Sequence, residues 1–160
     1  MLRLARGEEI IAVCAVSAQD EYFALHFPAK PVMPASLLLE AFAQAGTILL
    51  EVGSSFSRKA FPAFIENAKF RRLVIPGSEM RIEMRVAVGG EESSLLAGRI
   101  LQAGALCATA SMGFATAPLG EFFAPTHRDL YRRLYQAWLA GAEFLGFSTP
   151  PLEELHRALA

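Results

Sequence analysis

The chain has 160 residues, 53% of them hydrophobic, and a formal net charge of −1. That length suits one domain with a sizeable core. The near-neutral charge argues against a dedicated nucleic-acid binder, which carries a basic surplus, and no run reaches the roughly 18 unbroken apolar residues of a membrane span.

Residues 1–9 carry Arg3 and Arg6, but no apolar stretch follows them before Glu8 and Glu9. No secretory signal is therefore expected, and the chain is placed in the cytoplasm. Residues 9–18, rich in β-branched side chains, predict a strand. Cys14 and Cys107 fall in apolar strand-like runs and read as buried free thiols. No Cys/His pair has zinc-ligand spacing, so no metal is expected.

Pro28, Pro31 and Pro34 follow at three-residue spacing, and no helix can run through them. Pro34 suits a helix start. From residue 35 to about 52, Leu37, Leu38, Leu39, Ala41, Phe42, Ala45, Ile48 and Leu49 cover almost the whole circumference of a helix, which predicts a buried one. Its small residues Ala41, Ala43, Ala45 and Gly46 let a sheet approach closely, and Gly53 ends it. Four strands are predicted next, at about 61–75, 79–88, 93–103 and 106–117, with turns at 75–78, at Gly89-Gly90 and at Gly104. One strand, one buried helix and four strands predict an α+β fold, a single antiparallel sheet wrapped on a central helix, over residues 1–117. Residues 118–160 predict a helical extension packed on the same domain. Thr126 and Asp129 start one helix, carrying Leu130, Leu134, Ala137 and Trp138, and Thr149-Pro-Pro starts a second.

Two residues stand out chemically. Glu40 sits in the second turn of the apolar helix, where a carboxyl group needs a partner or holds its proton. It is either a general acid or a side chain escaping into a subunit crevice. His26 is either a structural histidine or a base held in place by the stiff proline loop. The first amides of the helix, at Ala35 and Ser36, have no helical acceptors. With the helix dipole they suit a polarised carbonyl oxygen. A base, an acid and an oxyanion site fit proton abstraction beside a carbonyl followed by loss of a β-hydroxyl.

The stretch His26-Phe-Pro-Ala-Lys-Pro-Val-Met-Pro-Ala-Ser-Leu-Leu-Leu-Glu40-Ala-Phe-Ala-Gln44 resembles the 3-hydroxyacyl-acyl-carrier-protein dehydratases of the FabZ/FabA type. Their pattern is roughly His-Phe-Pro-Gly-x-Pro-x-Met-Pro-Gly-x-x-x-x-Glu-Ala-x-x-Gln. The likeness continues through residues 65–77 and covers about 9–117. It implies a hot-dog fold and a dimer with two active sites, or a trimer of dimers. His26 of one subunit would face Glu40 of the other. His26 would take the C2 proton, Glu40 would help the C3 hydroxyl leave, and Gln44 would orient Glu40 or the water. The Val32 carbonyl would hold the His26 ring, and the Ala35 amide would bind the thioester oxygen. Lys69, Arg71 and Arg72 would receive acyl carrier protein; read from the residues alone they are a solvated strand face. No cofactor is implied. Ala29 and Ala35 replace the two motif glycines, keeping the amide but straining the loop if positive φ is required. Leu73 stands where the family usually has proline. Two other readings remain: a thioesterase or hydratase on the same fold, and an inactive acyl-binding subunit of a hetero-oligomer. In the tail, Leu134, Trp138, Leu145 and Phe147 are read as covering the core or a dimer edge, and Phe122 and Phe123 as alternative neighbours of the acyl tunnel.

Overall fold

The computed structural model describes residues 2–122, 127–147 and 150–159. Phe123, Thr126 and Thr149, for which a place beside the acyl tunnel and two helix starts were expected, lie outside the described residues. In chain order come β1 (Leu2–Ala5), β2 (Glu9–Ala15), α1 (Ala35–Gly53), β3 (Arg58–Phe70), β4 (Glu79–Val88), β5 (Ser93–Gln102), β6 (Ala105–Pro118), α2 (Arg128–Leu139), β7 (Glu143–Leu145) and α3 (Pro151–Ala158). The strands form one sheet in the order β3-β6-β5-β4-β2-β1-β7.

The alternation that marks β4 works as expected. Met80, Ile82 and Met84 are buried, while Arg81 and Arg99 close on Glu83 from the other face at 2.7 and 2.6 Å. Opposite the buried face lies α1, whose Leu38, Phe42, Ala45, Leu49 and Val52 enter the core. At Gly46 the helix lies close against the sheet. A Cβ there would collide with the Phe114 ring of β6, as the run of small residues anticipates.

Several expectations are corrected. The sheet is mixed: β7 pairs with β1 in parallel, and neither strand was read from the sequence. β2 ends at Ala15. β3 begins at Arg58 and stops at Phe70, because the amides of Arg71 and Arg72 both turn to the Cys107 carbonyl, at 2.7 and 3.1 Å. Arg71 and Arg72 therefore leave the strand that was expected to carry them. Cys14 is exposed, and only Cys107 is buried. α1 is not buried all round, since Ala35, Ser36, Glu40 and Gln44 are exposed in the single chain. It is the one described helix long and apolar enough to cross a membrane, yet half of it is buried inside the fold. From the tail, Tyr131, Tyr135, Leu139 and Leu155 fill the core and Phe147 packs against it, whereas Leu134, Trp138 and Leu145 stay partly exposed.

Candidate active site

The proline loop is held at both ends by backbone hydrogen bonds. The His26 amide donates to Tyr22 O at 3.1 Å, Val32 N–H to His26 O at 2.9 Å, and Met33 N–H to Val74 O at 2.8 Å. Inside it, Phe27 and Lys30 exchange backbone bonds, and the Phe27 ring stacks on His26 with centroids 4.2 Å apart. His26 Nδ1 lies 3.0 Å from the Val32 carbonyl oxygen. A carbonyl only accepts, so Nδ1 carries the proton, and in the neutral ring the lone pair is left on Nε2.

α1 begins directly after Pro34, whose fixed φ suits a helix start. Its first backbone bonds run from the Leu37 and Leu38 amides to the Pro34 carbonyl, at 3.0 and 3.4 Å. The amides of Ala35 and Ser36 come before them, on exposed residues at the positive end of the helix dipole. Neither Ala29 nor Ala35 has positive φ; among the described residues the non-glycine ones that do are Ser55, Phe56 and Ala103. The two alanines thus sit where the motif has glycine without backbone strain of that kind.

One turn into α1, Gln44 Nε2 donates to Glu40 Oε1 at 3.0 Å. The burial anticipated for the Glu40 carboxyl is absent from the single chain. Glu40 and Gln44 border two chambers flanking α1. One, of about 370 Å³, is walled by Lys59, Phe122, Leu130, Leu134 and Trp138. The other, of about 690 Å³, runs between α1 and β2. His26 is a wall of neither. Within one chain Glu40 is joined to Gln44 and His26 to Val32, and neither of these two chambers is walled by both His26 and Glu40. Lys69, Arg71 and Arg72 are exposed and form no ion pair among the described residues. Their segment leads into Val74, the residue that ties down the His26 loop.

Sequence reasoning missed a second polar centre. Glu51, fully buried, accepts hydrogen bonds from the hydroxyls of Tyr131 and Tyr135, from the Lys59 ammonium, and from Ala60 N–H at 3.1 Å. Burial, reinforced by the Glu51 charge, pushes both phenols well above their ordinary range. Tyr22, partly buried and donating to Asp20 at 3.0 Å, is pushed up to about 12. These are the chain's three tyrosines. Phenols held protonated in the folded state stabilise it fully below the unfolded pKa of roughly 10 and progressively less above it. The expected result of an alkaline titration is that phenolate absorbance stays flat past that pH and then rises together with the loss of helical circular dichroism. Absorbance from all three tyrosines appearing before the fold is lost would contradict the geometry.

A family described as FabA-like domain matches residues 2–110. A protein of Koribacter versatilis named 3-hydroxyacyl-[acyl-carrier-protein] dehydratase FabZ is 34% identical over 120 residues, 74% of this chain and 77% of that one. A protein of the same name from Pelotomaculum thermopropionicum is 38% identical over 109 residues, 64% and 78% of the two chains. Among solved structures, a hot-dog-like protein from Thermanaerovibrio acidaminovorans superposes with a TM-score of 0.61 at 14% identity, covering 82% of this chain and 91% of that one. The fold is the hot-dog fold, α+β, as the sequence resemblance implied.

Proposed function

The chain belongs to the FabA-like family, and from that premise we propose that it dehydrates 3-hydroxyacyl chains carried on acyl carrier protein to the enoyl thioester, in fatty-acid or related acyl-chain synthesis. His26 Nε2 removes the C2 proton. The developing enolate oxygen is held by the Ala35 amide, with Ser36 beside it and the helix dipole behind both. Glu40 donates a proton to the C3 hydroxyl, the C3–O bond breaks, and water leaves. Gln44 occupies Oε1 of Glu40, so the acidic proton belongs on Oε2, facing the substrate. The proton on His26 then passes to Glu40 through solvent, which resets both groups.

The observation that carries this reading is the His26–Val32 hydrogen bond, which presents Nε2 as a base. The active pair is completed across a dimer, His26 of one subunit meeting Glu40 of its partner. Support comes from the two chambers at Glu40, neither of which His26 walls. It also comes from β3, an edge strand of 13 residues with Phe61, Phe64, Ile65 and Phe70 exposed. A long apolar edge is a template for pairing with a second copy. Lys69, Arg71 and Arg72 dock the acidic carrier beside the His26 loop, in the cytoplasm.

The test is to incubate the purified protein with 3-hydroxyacyl chains on acyl carrier protein and identify the product. Enoyl thioester is expected. Free 3-hydroxy acid would instead mark a thioesterase, and unchanged thioester bound to the protein an inactive acyl-binding subunit.

A further inference from the structure

Part of the wall around Glu40 comes from outside the matched family domain. α2 presents two neighbouring rows of side chains. Tyr131, Tyr135 and Leu139, four residues apart, are buried. Leu130, Leu134 and Trp138 form the row beside them, also at spacing four. All three line the chamber of about 370 Å³ that Glu40 and Gln44 border, and all three stay partly open, at 61, 41 and 37% exposure. α2 cannot slide, because Tyr131 and Tyr135 are both bonded to buried Glu51 of α1. The chamber is thus polar at the carboxyl end and apolar along a fixed helix.

Resting on the dehydratase reading, we propose that Leu130, Leu134 and Trp138 close off the acyl chamber and restrict the substrate to medium-length 3-hydroxyacyl chains. Glu40 and Trp138 line both chambers, and the smaller one is assigned to the acyl chain because only it has Leu130 and Leu134 as an apolar wall. With the C3 hydroxyl at the carboxyl group, the chain beyond C3 runs toward α2. If a methylene takes roughly the 30 Å³ that a water molecule has in the liquid, the chamber holds about twelve carbons.

The test is a profile of kcat/KM against acyl length, using 3-hydroxyacyl chains on acyl carrier protein and the full-length chain. Wild-type protein should favour 3-hydroxyoctanoyl over 3-hydroxyhexadecanoyl substrate. Leu134→Ala should raise the long-to-short ratio by about tenfold, the scale of a methylene-sized change in a pocket. Leu130→Phe should shift the profile toward shorter chains. Leu130 and Leu134 are half exposed, so both variants should fold. Unchanged profiles in both overturn the proposal, as does a weakened dimer with an unchanged profile, which would mean that a second copy covers the row. Trp138, the chain's single tryptophan, separates the proposal from the dehydratase reading. If no enoyl product forms at any length, that reading falls, and the wall is then judged by Trp138 emission under decanoate and hexadecanoate. A response to decanoate in wild type, extended to hexadecanoate in Leu134→Ala, upholds it. A response without length dependence, or none, overturns it.

Discussion

His26→Ala and Glu40→Gln should each lower kcat by about 10²- to 10⁴-fold, the usual contribution of a positioned acid or base, and the two dead proteins should recover activity when co-expressed. In a symmetric dimer with sites built across the interface, a mixed dimer has one site lacking both groups and one with the intact His26 and Glu40. Random pairing makes half the dimers mixed, each with one working site of two, so recovery should reach about a quarter of wild-type activity. The expectation comes from the folded chain itself. Glu40 borders two chambers and His26 is a wall of neither, and an imidazole from a partner's loop would complete the site that Glu40 begins. No recovery, with mixed dimers isolated by two affinity tags, would show that the pair acts within one chain. Near-normal activity in either single variant would remove the assigned role altogether. Both side chains lie near the surface of the single chain, so neither change should alter folding.

The loop and helix that carry these residues were legible because their constraints are local. Three prolines at fixed spacing exclude a helix whatever surrounds them, and Pro34 sets the start of α1 at Ala35, where it is observed. β4 was equally clear, because alternation over ten residues depends on nothing distant. β1 and β7, by contrast, are four and three residues long. Their strand character comes from pairing with each other and with β2, a tertiary fact. The same holds for the end of β3. Nothing in Arg71 or Arg72 announces a stop; it arises because one carbonyl, of Cys107, receives both amides.

The apolar circumference of α1 misled for a related reason. Periodicity counts side chains, not neighbours, and so could not tell which face the sheet and α2 take and which they leave open for Glu40. Glu51 was missed for the same reason: the sequence shows only a glutamate in the last turn of a helix, just before Gly53. It is buried because two tyrosines eighty residues later close over it, and no local pattern links the three.

That centre bears the largest stability effect expected in the molecule. Glu51→Ala removes the acceptor shared by two phenols, one ammonium and one backbone amide. Each buried donor left unsatisfied costs about 1–3 kcal/mol, and a broken buried charge pair alone costs about 3–5 kcal/mol. Lys59 softens the loss, because its side chain is 23% exposed and can turn to water. The tyrosines cannot, since Tyr131 and Tyr135 are 4 and 0% exposed. A net loss of about 3 kcal/mol is expected, which for a chain of this size lowers Tm by roughly 6–12 °C. Glu51→Gln keeps the shape and one acceptor and should cost less. The coupling can be isolated, because on a Tyr131→Phe/Tyr135→Phe background the hydroxyls no longer need an acceptor. There Glu51→Ala should lose much of its effect. Equal Tm shifts on both backgrounds would mean that the tyrosines do not depend on Glu51, and that packing alone holds α2 in place.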